Sequence, residues 1–106
     1  MEAALRAIAE PRRCEILRLV RDDELSAGEI ASHFEVTRPA ISQHLTVLKE
    51  AGLVHERRNG TRRLHSVRPE GFDEVKAFFE TFWDERLEAL KREAEREEKK
   101  KRGNDD

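Results

Sequence analysis

Ser26-Ala27-Gly28-Glu29-Ile30-Ala31-Ser32-His33-Phe34-Glu35-Val36-Thr37-Arg38-Pro39-Ala40-Ile41-Ser42-Gln43-His44-Leu45-Thr46-Val47-Leu48-Lys49 decides the fold. Ser26 and Glu29 have the spacing of a capping box, in which each side chain bonds a free backbone N–H of the other's residue. They open a helix of one to two turns that turns Ile30, Ala31 and Phe34 inward. A short turn follows, and Thr37 then caps a second helix whose Pro39 sits in the first turn, where a missing N–H costs nothing. Ile41, Leu45 and Leu48 recur at i, i+4 and i+7 and form the buried face. Gly52 ends this helix as the residue past its C-cap.

Downstream the period changes from 3.6 to 2. Leu53–Arg58 and Thr61–Val67 flank Asn59-Gly60, the strongest short hairpin signal, because a type I′ turn needs two positive φ angles. Two short helices joined by a tight turn and followed by a β-hairpin predict a winged helix-turn-helix, mainly α with a two-stranded wing at about 53–67. Upstream, helices are expected over about 3–9 and 11–22, the second starting at Pro11. Pro69-Glu70-Gly71 punctuates the exit from the wing, and one long helix is expected from about 71 to 97. The domain is expected to occupy residues 1–98, with 99–106 a charged, disordered tail.

At 106 residues there is room for one core only, and 42% charged against 37% apolar residues is polar for a globular chain. The formal net charge of -2 hides an uneven distribution. Between Val36 and Arg68 seven cations (Arg38, Lys49, Arg57, Arg58, Arg62, Arg63, Arg68) stand against Glu50 and Glu56, whereas both flanks are net acidic. A basic middle between acidic ends suits a localised polyanion site, although surface arginines also serve solubility alone. On the wheel of residues 38–49 the outward side centres on Gln43, flanked by Pro39, Ser42, Thr46, Ala40 and Val47, with Arg38 and Lys49 at its edges. It carries no carboxylate, as a surface approaching phosphates requires. Glutamine matches the donor and acceptor of adenine's major-groove edge, and Thr37 and Arg38 at the helix N-terminus can meet a phosphate. His44 lies between the two faces and suits packing or a phosphate better than a metal. Val47 is outward and apolar; a thymine methyl or the underside of the wing would each suit it. Arg57, Arg58, Arg62 and Arg63 bracket Asn59 at the hairpin tip, leaving both faces cationic, which suits minor-groove or backbone contacts. Double-stranded DNA is therefore the expected partner.

One cysteine, Cys14, precludes an intrachain disulfide and offers no CxxC clip; in mid-helix it reads as a small buried hydrophobe. The N-terminus has no apolar signal region and nothing approaches a membrane span, so a cytoplasmic chain with no membrane partner is expected. No nucleophile–base, paired-carboxylate or phosphate-loop arrangement stands out, so no enzymatic activity is expected. Phe72, Val75, Phe78, Phe79, Phe82, Trp83 and Leu87 span more than one stripe of the last helix. One surface should meet the chain's own core and another a symmetry mate.

Ala9-Glu10-Pro11-Arg12-Arg13-Cys14-Glu15-Ile16-Leu17 resembles the A-D-P-T-R-R-x-I-L opening of the ArsR (ArsR/SmtB) family of winged-helix repressors. Arg38-Pro39-Ala40-Ile41-Ser42-Gln43-His44-Leu45, with Leu48 and Ala51-Gly52-Leu53-Val54, is similar to that family's recognition helix and the start of its wing. The resemblance covers about residues 3–90. It implies a homodimer paired through the first and last helices, including Leu5 and Ile8, that represses its own or neighbouring genes. By position it puts Thr37, Arg38, Ser42, Gln43 and His44 on the DNA-reading helix and Arg57–Arg63 on the wing. The chain departs from the metal-sensing members. Where they carry paired cysteines it has Asp23-Glu24-Leu25-Ser26-Ala27, and no histidine follows His65. The resemblance is thus to metal-independent autorepressors, with no cofactor and no metal expected, and with any control coming from an effector ligand or protein. The competing expectations are a metal or thiol sensor that uses His55, His65 or Cys14 across a dimer, and a winged-helix module that binds only protein.

Overall fold

A computed structural model of the chain describes residues 1–83 and 85–104. The elements run α1 (Glu2–Ile8), α2 (Pro11–Asp22), α3 (Ala27–Ala31), α4 (Arg38–Glu50), β1 (Val54–Asn59), β2 (Arg62–Val67), a 3₁₀ turn (Pro69–Phe72), α5 (Asp73–Glu80) and α6 (Glu85–Asn104). They divide into two compact units, residues 1–75 and 76–106.

In the first unit the local signals do what their chemistry requires. Glu10 caps α2 by accepting from the Arg13 N–H at 2.9 Å. Ser26 and Glu29 form the reciprocal capping box at the start of α3, and Thr37 caps α4 by accepting from the Ala40 N–H. α4 ends in a Schellman motif: the Gly52 N–H donates to the Lys49 carbonyl and the Leu53 N–H to that of Leu48, both at 3.0 Å. Gly52 has φ of 77°, which only glycine adopts without cost. Leu48 and Leu53, the apolar pair that closes this motif, are both fully buried. Around them Ala4, Ala7, Ile16, Val20, Ile30, Ile41, Leu45, Val54 and Val75 complete a single core.

The wing forms, but with its turn one residue later than Asn59-Gly60. Asn59 pairs with Arg62, so Gly60-Thr61 is the loop, and Gly60 alone has positive φ, at 66°. That is the type II′ pattern, which wants glycine first, rather than type I′. The cause lies at the other end of the ladder. This register sets Val54 opposite Val67 against the core and Glu56 opposite His65, whereas an Asn59-Gly60 loop would oppose Val54 to His65. Burial of the apolar pair overrides the local turn preference. β2 slides by two residues, so every side chain keeps its face. Its second edge is also used: His65 and Leu25 exchange backbone hydrogen bonds of 2.8 and 3.0 Å.

The expected single helix over 71–97 is interrupted. Thr81 Oγ1 donates to the Phe78 carbonyl at 2.7 Å, and Phe82 and Trp83 donate to carbonyls three residues back, so the α ladder tightens and stops. Residues 99–104, expected to be disordered, continue α6, while residues 105 and 106 lie outside the described residues. No helix among the described residues is long and apolar enough to cross a membrane.

Candidate nucleic-acid interface

α4 lies across the first unit with Ile41, Leu45 and Leu48 buried and Pro39, Ser42, Gln43, Thr46, Val47 and Lys49 exposed. Its outward face divides three ways. Ser42, Thr46 and Lys49 look towards the wing and line a cleft of about 540 Å³ together with Arg38, Gly28, Arg62 and Arg63. Val47 and Glu50 look the other way and line a groove with Met1, Ala3 and Ala7 of the α1 region. Gln43 stands between them, exposed. Of the two places open to Val47, the underside of the wing is therefore excluded. The acid-free stretch also stops where the helix does, since Glu50 is exposed.

Several expected contact residues already have internal partners. Thr37 Oγ1 is occupied as the α4 cap, and Thr46 Oγ1 donates to the Ser42 carbonyl at 3.0 Å. His44 is half-buried: its Nδ1 lies 3.4 Å from an Arg13 guanidinium nitrogen and 4.0 Å from Glu10. Arg13 itself donates to the carbonyls of Ala7 and Arg6 at 2.7 and 3.3 Å. His44 and Arg13 thus tie the middle of α4 to the end of α1. The reading of the sequence did not single out Arg13, whose spacing from Arg6 and Ala7 carries no local signal.

The wing arginines separate by face. Arg58 and Arg63 pair across one side of the hairpin and Arg57 and Arg62 point to the other. Arg57 makes a two-pronged ion pair with Glu24, 2.8 Å on each prong. Arg62 pairs with Glu29, whose other role is to close the α3 capping box. Lys49 reaches Glu56 at 3.1 Å, and Arg63 approaches the same carboxylate at 3.8 Å. Among the described residues no acid partners Arg58 or Arg38. These contacts hold the three carboxyls below their ordinary value of 4.5: the Arg57 hydrogen bond for Glu24, the Ser26 N–H for Glu29, and the Lys49 hydrogen bond for Glu56. All three are anions at neutral pH.

The residues open to a metal or thiol reading are dispersed. His65 is 7% exposed, with Nδ1 3.1 Å from the Leu25 carbonyl, and His55 is exposed on the opposite face of the hairpin. Cys14 is half-buried rather than buried, and its thiol donates to the Ile8 carbonyl at 2.9 Å. Among the described residues no three His, Cys, Asp or Glu side chains are grouped so as to hold a metal ion.

The residues expected to meet a partner also divide. Val75 is buried in the chain's own core, and Leu5, Ile8 and Phe72 are partly buried against it. In the second unit Phe79, Phe82 and Trp83 are 56 to 58% exposed, and Phe78 and Leu87 are exposed as well. Phe78 packs edge-on to Phe79 and Phe82, with ring centres 5.6 and 5.2 Å apart, so the rings form one patch.

A helix-turn-helix, a two-stranded wing and between them a cleft lined by Arg38, Lys49, Arg62, Arg63 and Glu56 define the chain as a winged-helix regulatory protein. The pattern described as bacterial regulatory protein, arsR family, matches residues 10–56. The HTH-type transcriptional regulator Rv2034 of Mycobacterium tuberculosis is 38% identical over 86 residues, 81% of this chain and 80% of that protein. The transcriptional repressor SdpR of Bacillus subtilis is 40% identical over 60 residues, 57% of this chain and 67% of that protein. A solution structure described as the homodimeric winged helix-turn-helix DNA-binding domain of Mb0332 from Mycobacterium bovis superimposes with a TM-score of 0.64 at 31% identity, covering 81% of this chain and 80% of that one. The chain belongs to the arsR family of bacterial regulatory proteins, which are regulators and not enzymes.

Proposed function

We propose that the chain is a homodimeric transcriptional repressor that binds an inverted repeat in double-stranded DNA. The observation that carries this reading is the exposed Ser42–Gln43–Thr46 face of α4, itself free of acids and set beside a cleft in which Arg38, Lys49, Arg62 and Arg63 outnumber the one acid, Glu56. Among the described residues the Gln43 side chain has no hydrogen-bond partner, so it can pair with an adenine edge in the major groove. Pro39 leaves the first turn of α4 short of one N–H, while Arg38 and Arg58, with no acid partner among the described residues, can meet phosphates at once. Lys49, Arg57, Arg62 and Arg63 reach phosphates only by leaving their carboxylates, and Asn59 flanks the loop that carries them to the backbone. His44 acts through its contacts with α2, orienting α4 rather than touching DNA.

The homodimer reading rests on the patch of Phe78, Phe79, Phe82, Trp83 and Leu87, which one chain leaves in water, and on the homodimeric state described for the Mb0332 domain. A two-fold dimer would place its two α4 helices in successive major grooves, so half-sites about 34–36 Å apart are expected. Repression then follows from occupancy of a promoter, in the cytoplasm where the DNA is; an effector ligand or protein would act by changing the spacing of the two α4 helices. The test is fluorescence anisotropy on the DNA upstream of the chain's own gene. A dimer bound to a palindromic site, with affinity falling steeply as salt rises, supports the reading. Equal affinity for any duplex, or none, refutes it.

A further inference from the structure

We infer that Arg13 is a positioning residue for DNA reading: its guanidinium, seated on the end of α1, holds His44 and so sets the rotation at which α4 presents Gln43. The inference rests on the proposed DNA binding and adds to it a residue that touches no DNA. Arg13 lies in the first turn of α2, where a cation meets the helix dipole unfavourably and no acid of that turn offsets it. Side chains lean towards a helix N-terminus, so Arg13 reaches back over the turn to α1. There its Nε donates to the Ala7 carbonyl and its Nη2 to that of Arg6, two groups that the end of a helix leaves without an intrahelical N–H. The Cys14 thiol closes the next one, on Ile8. A guanidinium pinned at two points aims its remaining nitrogen, Nη1, at His44 Nδ1, 3.4 Å away. Arginine only donates, so Nδ1 accepts and the ring proton sits on Nε2. Glu10 is 4.0 Å from the same ring nitrogen and already accepts from the Arg13 backbone N–H.

Ile41, Leu45 and Leu48 fix where α4 lies, but apolar burial is non-directional and defines the rotation about the helix axis less tightly. A directional bond on the flank of α4 supplies that definition. Among the described residues the other side-chain tie from α4 to a neighbouring element is Lys49 to Glu56, exposed and at the far end of the helix. Gln43 adjoins His44 in the chain, and a binding contact must be held to about 0.5 Å and 10–20°. The long side chains of Arg38 and Arg58 can follow a phosphate through a small rotation, so losing the tie costs recognised DNA and spares random DNA.

The test compares the wild-type dimer with Arg13→Lys, His44→Phe and His44→Asn, each alone and with Gln43→Ala, on the chain's own upstream DNA and on a random duplex across a salt series. Lysine keeps the charge, but its compact ammonium cannot span α1 and His44 together. Phenylalanine removes the acceptor and leaves α1 capped; asparagine puts an oxygen at the δ position and restores it. Melting curves set the binding temperature below the unfolding of every variant. Arg13→Lys and His44→Phe should each lower affinity for the upstream DNA by about 2- to 30-fold per half-site, as expected of a residue that acts through another. Random-DNA affinity and salt slope should stay as they were, and His44→Asn should fall within about twofold of wild type. With Gln43→Ala each loss should shrink to about twofold or less, because the contact being aimed is gone. Imidazole ¹⁵N spectra of the wild type should show His44 Nδ1 without a proton. A protonated Nδ1, no loss, a loss shared by random DNA, or one undiminished by Gln43→Ala would each overturn the inference. So would a slope shallower by about 0.9 per protomer, which would make Arg13 or His44 a phosphate contact. Wild-type protein that binds no duplex would instead remove the DNA-binding reading on which this one stands.

Discussion

Gly71→Ala should destabilise the protein more than replacement of either glycine with positive φ. Gly71 lies in the 3₁₀ turn after the wing, and a Cβ built there would overlap the Gly52 carbonyl oxygen and crowd its carbon. Neither atom can retreat. Gly52 is pinned by the Schellman motif, and its carbonyl also accepts from Arg68 at 3.3 Å. The turn must therefore lift from the end of α4, straining the 2.8 Å hydrogen bond from the Arg68 N–H to the Leu53 carbonyl and loosening the cover over Leu53. Overpacking costs about 1–3 kcal/mol, and one strained backbone hydrogen bond about 0.5–1.5 kcal/mol. A loss of roughly 2–4 kcal/mol is a large part of the 5–15 kcal/mol typical of a whole domain. At Gly52 and Gly60 an added Cβ meets no backbone atom within 4 Å, so alanine there pays only for its positive φ, about 1–2 kcal/mol. Urea unfolding at one fixed protein concentration reads the order directly: Gly71→Ala should lower the midpoint by about 1 to 2 M at unchanged m-value. A Gly71→Ala midpoint within 0.3 M of wild type, or above that of Gly52→Ala, would refute the packing argument.

Three further outcomes are expected. Gln43→Ala should weaken binding to the upstream DNA by about 5- to 150-fold per half-site, the worth of one bidentate base contact of about 1–3 kcal/mol, while the salt slope and random-DNA affinity stay as they were; a loss shared equally by random DNA would assign Gln43 to the backbone instead. Phe79→Ser combined with Trp83→Ser should shift the sedimentation of the protein from dimer to monomer and lower DNA affinity with it, and a variant that remains dimeric would place the interface elsewhere. Stability should be flat above about pH 5 and fall below 4.5, because Glu24, Glu29 and Glu56 are all held below that value in the folded chain. The unfolded chain then takes up protons first, so stability is present above the unfolded value and lost as pH falls through the folded ones; calorimetric melting between pH 6 and 3 that showed no such decline would contradict the ion-pair assignments.

What was legible in the sequence is what depends on neighbours within a few residues. The caps at Ser26 and Thr37, the Ile41–Leu45–Leu48 face and the glycine after α4 each state a local requirement, and all of them form. The wing was legible as a hairpin but not in register, because Asn59-Gly60 and Gly60-Thr61 both make acceptable turns. The choice between them is made by Val54 and Val67 some six residues away. The interruption of the last helix at Thr81 was hidden for the opposite reason. The spacing of Phe78, Phe82 and Leu87 fits one continuous helix, and a single hydroxyl bonding back to the Phe78 carbonyl competes with the ladder without leaving a mark on that spacing.

The basic site shows the same limit in its electrostatics. Counted along the chain, residues 36–68 hold seven cations and two acids. Counted in space, Glu24 and Glu29 join that region from 33 residues upstream and take up Arg57 and Arg62, while Glu56 takes up Lys49. The cations of that stretch with no acid partner among the described residues are therefore fewer than the sequence suggests, Arg38 and Arg58. This bears on how such a small protein avoids trapping itself on bulk DNA. A wing with all four arginines open would gain its affinity from phosphates alone, and phosphates are the same everywhere. On the proposed reading, with two of the four held by the body, a larger share of the binding free energy comes through α4, whose exposed Ser42, Gln43 and Thr46 are the expected base contacts.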